Sequence, residues 1–448
     1  MPSSIKVDSS LLKYLLMVGC VAATSMFFFP IEFRALEGMG LNTKKMLAAI
    51  SLVILLYRMV QHGEFRAEKD FFYISTLACL VSFCGLLAVT YNNTLDYTYA
   101  TYITSAWVWW GAAYTVCQLI KWVHGEITWT HVINYLVIVC VFQCIIALVM
   151  DQNLTVKDAI NSVVLQDDED MVFEGGVHRL YGIGCGLDVA GSRFAAVLVM
   201  IVYLLANSSL QKKWYEYLLY FVAFIIISVA GNMIARTTIV GVGVGLVYLT
   251  VITFRQTKLL ERNYFTLWHW FLGLIVVCVP LLVYAYNTNS KIHDQLRFGF
   301  EGFFNLVERG DFSYSSNERL ATMYVWPDEL KTWVVGDGYF ENPQYTDPYY
   351  TGEKYGGNFY KSTDVGYLRF IYYFGLIGLL MFSWFILKVG QVCMHKFPQW
   401  KVLFLMLVLV NFIVWAKVST DIFLVFAMFL CLNKEEDEQE EQLDLELA

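Results

Sequence analysis

Residues 131–150 read HVINYLVIVCVFQCIIALVM, twenty positions without a single Asp, Glu, Lys or Arg. Twenty residues of helix, rising about 1.5 Å each, match a hydrocarbon core about 30 Å thick. Similar stretches recur on both sides. They lie at about 11–30, 45–62, 71–90, 104–122, 189–207, 216–233, 236–254, 265–286, 364–388, 402–417 and 419–432. With 131–150 they make about twelve expected transmembrane helices, and the fold class expected is an all-α polytopic membrane protein. The composition agrees: 58% of the residues are hydrophobic and 16% charged, where a soluble domain carries about a quarter charged. The first span is read as a retained helix, because no convincing cleavage signal follows it.

Basic residues in short loops set the orientation. Arg58, Arg66, Lys69, Lys121, Lys212, Lys213, Arg255, Lys258, Arg262, Lys388, Lys396 and Lys401 fall in one alternate set of loops, and only Lys44 and Lys45 oppose them. Both ends are therefore expected in the cytoplasm. Residues 1–286 hold spans one to nine, with an external loop at 151–188. Residues 287–363 form a large external loop, 364–432 hold the last three spans, and 433–448 form an acidic tail. That tail accounts for most of the net charge of −8, and such runs are usually solvated and disordered. No basic surface suited to nucleic acid is present. Eight of the ten cysteines lie in apolar stretches, where they act as small hydrophobes, so no disulfide framework is expected.

A loop of 287–363 needs elements of its own. Ser315-Ser316-Asn317-Glu318 fits a capping box that opens a helix over 318–325. Pro327 can start a second helix, stopped by Gly336 and Gly338. Its many tyrosines suit either carbohydrate stacking or a membrane-interface belt.

Ionisable residues in a membrane mark function by default. Here they gather at the outer ends of spans: Asp188 and Arg193, Arg236, Asp364 and Arg369, Lys417 and Asp421. The pattern describes a polar site near the outer surface. Arg236 is read either as a snorkelling cation or as a guanidinium that binds phosphate oxygens. Gly241 and Gly245 have the spacing of close helix packing. The run from Arg179 through Gly182, Gly184 and Gly186 to Asp188 can bring backbone N–H groups to an anion. The Asp167–Asp170 run is read as solvated surface rather than a metal site.

Four motifs, in this order and on this topology, resemble those of the O-antigen polymerase and O-antigen ligase superfamily. Arg179 to Arg193 resembles the Arg-x-x-Gly stretch before a membrane helix in the polymerases. Ala235-Arg236-Thr237-Thr238 resembles the family's Ser-Arg step. Asn317-Glu318-Arg319-Leu320, with Trp326 and Gly336-Asp337-Gly338, resembles its loop-arginine helix. Asp364-Val365-Gly366-Tyr367-Leu368-Arg369 with Gly375 matches the spacing at which the ligases carry His. The aspartate in place of that histidine favours the polymerase branch. The resemblance implies a GT-C-like fold and transfer of a glycan from an undecaprenyl-diphosphate donor to a sugar hydroxyl of a lipid-linked acceptor. It implies Asp364 as base, with Arg236 and Arg319 on the diphosphate, and Arg179, Arg193, Asp188, Arg369 and Tyr367 as substrate contacts. No metal or soluble cofactor is implied. The partners would be the lipid-linked oligosaccharide, membrane lipid and a chain-length regulator, and the location the bacterial inner membrane. The alternatives are a ligase-type transferase, a secondary transporter or flippase, and N-capping alone for Asp364.

Overall fold

The computed structural model describes residues 10–62, 68–166, 179–206, 213–255 and 264–432. The acidic run at 167–170 and the acidic tail at 433–448 lie outside the described residues. In chain order the helices are α1 (Ser10–Phe28), α2 (Thr43–His62), α3 (Lys69–Asn92), α4 (Tyr102–His124), α5 (Trp129–Gln152), α6 (Leu154–Asn161), α7 (Leu187–Ala206), α8 (Trp214–Ile234) and α9 (Ile239–Arg255). There follow α10 (Tyr264–Thr288), α11 (Ser290–Gly299), α12 (Glu301–Arg309), α13 (Ser315–Thr322), α14 (Leu330–Val334), α15 (Pro343–Thr346), α16 (Gly366–Lys396), α17 (Lys401–Trp415) and α18 (Phe423–Leu430). The strands are two-residue pieces, β1 (Glu32–Phe33) and β2 (Val164–Leu165), paired antiparallel.

Among the described residues nine helices are long and apolar enough to cross a membrane. The chain is thus an all-α polytopic membrane protein. Three of the twelve stretches expected from sequence fall outside those nine. The helices α2 and α4 form at 45–62 and 104–122 but carry more polar residues, among them Lys44, Lys45 and Arg58 in α2. At 419–432 the helix is only the eight residues of α18, about 12 Å long, and every one of them is buried.

Two compact units emerge, one drawn from Met1–Ile50, Ala112–Phe304 and Met428–Ala448, the other from Ser51–Gly111 and Asn305–Ala427. The first is centred on α7, which is buried at every position from Ala190 to Ala206. A helix apolar on all sides belongs inside a bundle, and α5, α8 and α9 pack around this one. Glycines set the distance to α9: a Cβ on Gly241 would lie 2.3 Å from the Ala195 carbonyl oxygen, and one on Gly245 would lie 2.9 Å from Val202. Gly243 faces open space. The packing reading of 241 and 245 therefore holds.

The second unit is centred on α16, a helix of 31 residues packed against α3 and α17. Its helical geometry fails at Phe374 and Gly375, where Gly375 takes φ 67° and ψ −173°, a region open in practice to glycine alone. The break frees carbonyls that a membrane cannot hydrate, at a cost of several kcal/mol each. The large loop supplies the donors: Asp337 N–H donates to the Tyr372 carbonyl at 2.6 Å, and Gly338 N–H to that of Tyr373 at 3.0 Å. Gly336 and Gly338 both have positive φ, and a Cβ on Gly336 would lie 2.5 Å from the Tyr373 oxygen. The segment enters because it is glycine. Beneath it lies an aromatic core of Tyr99, Phe340, Phe370, Tyr373, Phe374, Phe382 and Trp415.

The loop helices differ from expectation in detail. The helix bearing Arg319 starts at Ser315 behind Tyr314, with no side-chain cap, so the capping box is not formed. The second begins at Leu330, three residues after Pro327, with Glu329 as cap. Cys393 is buried within α16. All ten cysteines are free thiols.

Substitution of these glycines tests the packing. Gly241→Ala and Gly375→Ala should each lower thermal stability in detergent, by about 2–3 kcal/mol from overlap and strain. Gly243→Ala should be neutral or stabilising by up to about 1 kcal/mol.

Candidate functional site

In the first unit the chain leaves α8 at Ala235, makes a single 3-10 turn at Arg236–Thr238 and enters α9. Arg236 is held there from three directions. Its Nε donates to the Phe298 carbonyl at 3.1 Å, its guanidinium lies 4.2 Å from the centre of the Phe298 ring, and Nη2 pairs with Glu301 at 2.8 Å. The side chain is 9% exposed and that of Glu301 24%. The helix that presents Phe298 and precedes Glu301, α11, is capped by Asn289 and docked by Asn232, whose Nδ2 donates to the Gly299 carbonyl at 2.5 Å. Arg179 lies against the same Phe298 ring, 5.4 Å from its centre. Two of the cations singled out from sequence thus meet at one aromatic ring, with a carboxylate on one of them. Such guanidinium forks match carboxylate and phosphate oxygens.

Arg193 is placed otherwise. It is buried in α7, donates to the Phe28 carbonyl and lies 5.5 Å from the Phe29 ring. That guanidinium ties α7 to the end of α1. Asp188 lies in α7 with its side chain outside the described part. From Gly182 to Gly184 the run does not offer its N–H groups to an anion. Ile183 N–H donates to Gln143 Oε1 at 2.8 Å, Gly184 N–H to Gln166 Oε1 at 3.3 Å and Gly182 N–H to the Cys185 carbonyl at 2.7 Å. Its glycines serve close packing instead: a Cβ on Gly184 would lie 2.5 Å from Ile31.

In the second unit Asp364 and Arg319 sit on segments that share one apolar cluster of Tyr360, Val365, Leu368, Ile371 and Tyr372, against which Leu320 and Met323 of the Arg319 segment pack. Thr363 Oγ1 donates to the Met323 carbonyl at 2.7 Å, joining the two segments directly. Arg319 is exposed, and its guanidinium makes no hydrogen bond or ion pair among the described residues. Asp364 is half-buried. It does not cap α16, whose cap is Val365 without a side-chain bond. The turn just before it is strained: Lys361 and Ser362 have φ of 55° and 56°, worth about 1 kcal/mol or more each. Lys361 is pinned there over the rings of Tyr355 and Tyr360, 5.0 and 5.8 Å from their centres.

Arg369 is buried between two aromatic faces, 3.8 Å from the Phe340 ring centre and 3.7 Å from that of Phe359, and donates to the Phe340 carbonyl at 3.3 Å. Asp364, Glu341 and Asp96 act on it electrostatically. Burial, then the charge of Asp96, pushes the Glu341 carboxyl up from its usual range, and Arg369 opposes the shift. Tyr367 is committed to α17 through a 2.8 Å bond to the Phe412 carbonyl.

Asp96, Lys331 and Asp337 escaped the sequence reading as structural charges. Asp96 accepts from Phe340 N at 2.7 Å, Glu341 N at 3.1 Å, Thr98 N at 3.1 Å and Thr98 Oγ1 at 2.6 Å. Asp337 pairs with Lys331 at 2.8 Å and accepts from Thr332 Oγ1 at 2.7 Å and Tyr360 Oη at 3.2 Å. Asp96 stands only three residues beyond Asn93, in the short link after α3. An aspartate two residues before Thr98 in a link rich in Asn and Thr was the available signal for a loop anchor. Phe298, Phe340 and Phe359, which build the arginine seats, carry no such signal.

Comparison with models of known families, with curated proteins and with solved structures finds no match.

Arg369 and Arg319 separate structure from function. Arg369→Lys should cost about 2 kcal/mol of stability, since a lysine cannot fill the stacked planar seat. Arg319→Ala should change stability by less than about 0.5 kcal/mol. Thermal unfolding in detergent reads both.

Proposed function

We propose that the chain is a glycosyltransferase that polymerises a lipid-linked glycan at a membrane surface. The observation that carries this reading is the seat of Arg236. A guanidinium is pre-oriented at a helix junction by a carbonyl and an aromatic ring, with Arg179 on the same ring, and its partner Glu301 is one that an incoming phosphate can displace. A second support is the strained turn that delivers Asp364 beside the segment carrying the exposed Arg319. In the proposed reaction Asp364 takes the proton from an acceptor sugar hydroxyl. The oxygen attacks the anomeric carbon of the donor, whose bond to the diphosphate oxygen breaks. Arg236 and Arg319 neutralise the departing undecaprenyl diphosphate, the role that arginine clamps fill in phosphoryl chemistry.

The finer parts of the resemblance belong to the same proposal. They are twelve crossings in a GT-C-like arrangement, both ends in the cytoplasm, residence in a bacterial inner membrane, metal-independent chemistry and a chain-length regulator as partner. A ligase is the near alternative, and Asp364 in place of its histidine speaks for the polymerase. A transporter finds one favouring observation, the discontinuous α16. Two of its freed carbonyls, those of Tyr372 and Tyr373, already accept from Asp337 and Gly338, however, so the break is stabilised without a coupling ion.

Purified protein in nanodiscs with its host's lipid-linked repeat unit should yield a ladder of products on a gel. Arg236→Ala and Asp364→Asn should each lower the rate by about 100-fold or more, and Arg319→Ala should do so with unchanged stability. A single transferred product would favour the ligase. Competent substrate left untouched by the wild type would refute the transferase reading.

A further inference from the structure

The segment over 324–334, outside the nine apolar helices, exposes large apolar side chains to either side of the exposed carboxylates of Asp328 and Glu329. Its one lysine, Lys331, turns inward to Asp337 at 2.8 Å and to Asn92 Oδ1 at 2.9 Å. Leu330 and Val334, one helical turn apart in α14, turn outward, and Leu330 is 78% exposed. Beside them Trp326 is 57% exposed and stacks on Trp333 at 6.0 Å and 14° between planes. Trp333 Nε1 donates to the Pro327 carbonyl at 2.9 Å, which fixes the pair.

Depth follows from α16. Its 31 residues span about 46 Å, some 16 Å more than a hydrocarbon core. The far end carries His395 and Lys396. About twenty residues back from the basic stretch Lys388 to Lys396, the hydrocarbon boundary on the loop side falls between about Leu368 and Leu376, so the break at Gly375 lies at or just inside it. Beyond the break Leu376, Ile377, Leu380, Trp384 and Leu387 form an exposed apolar stripe of the kind that faces lipid. The backbone of Val334 lies directly on Gly375, where an added Cβ would meet the Val334 carbonyl oxygen at 2.2 Å. The same holds at α3: a Cβ on Gly338 would lie 3.1 Å from the carbonyl oxygen of Ala88, a full turn inside that helix's end.

The geometry points to an interfacial wedge: Trp326, Leu330 and Val334 insert into the acyl-chain boundary of the leaflet on the loop side, continuous with the lipid-facing stripe of α16. Indoles favour that boundary, and non-helical backbone at this depth is tolerated because protein covers it. The partner is bulk membrane lipid, and the inference stands independently of the transferase reading. It gives the loop a lipid-held edge a few residues from Asp337.

Wild-type protein in nanodiscs would be photolabelled with phosphatidylcholine carrying a diazirine near the glycerol end of one acyl chain, and in parallel with a water-soluble diazirine. Peptide mass spectrometry would locate the adducts. Lipid adducts are expected on 324–334 as well as on Ile377 and Leu380, with aqueous adducts on Tyr345 and Tyr349, which are 73% and 83% exposed. Aqueous labelling of Leu330 and Val334, or a 324–334 peptide without lipid adducts beside labelled Ile377 and Leu380, would overturn the wedge.

Discussion

Two hydrogen bonds hold the second unit's organisation together. Helix α16 breaks at Phe374–Gly375, and the carbonyls of Tyr372 and Tyr373 are claimed by the amides of Asp337 and Gly338. In a hydrocarbon setting an unclaimed carbonyl is expensive, so the break and the loop that seals it stand or fall as a pair. Gly336, Gly338 and Gly375 are what chain geometry demands there, because backbone meets backbone with no room for a Cβ. Asn92 Nδ2 and Thr94 Oγ1, donating to the carbonyls of Gly336 and Gly338, then fasten the seal to α3.

From that seal the candidate chemistry inherits its rigidity. The half of α16 before the break carries Arg369 and follows Asp364, and Arg369 is clamped between rings of the same loop. Tyr360 joins the apolar cluster to Asp337 and stays a hydrogen-bond donor, since burial and the Asp337 charge push its hydroxyl well up. In the first unit Arg236 is fixed by the same principle with other parts. There a loop helix, α11, lays Phe298 over the guanidinium, and Asn232 docks the helix from below. Each candidate cation that is buried has an aromatic seat, which spares it part of the desolvation cost.

The membrane class was legible because it rests on uninterrupted apolar length, a property of each segment alone. So was the close packing at Gly241 and Gly245, which depends on local spacing. The clustering of charge near helix ends picked out Arg236 and Asp364, the glycine run picked out Arg179, and these do occupy organised places. What sequence could not separate was a cation prepared for a ligand from one committed to the fold: Arg193 and Arg369 look like Arg236 until their partners are seen. The glycine run at 182–186 failed for a related reason. The N–H groups of Ile183 and Gly184 are spent on Gln143 and Gln166, and pairing over that sequence distance leaves no local mark. The length of α18 was not legible, because a buried apolar helix and a membrane-spanning one share composition and differ only in length and neighbours.

Amide hydrogen exchange on the protein in nanodiscs, resolved at Asp337 and Gly338, tests this account most directly. If the loop seals the break, both amides exchange as slowly as those in the buried body of α16, despite lying in a segment without regular structure. Exchange at the rate of an exposed loop would contradict it, and with it the rigid framework on which the candidate site is built.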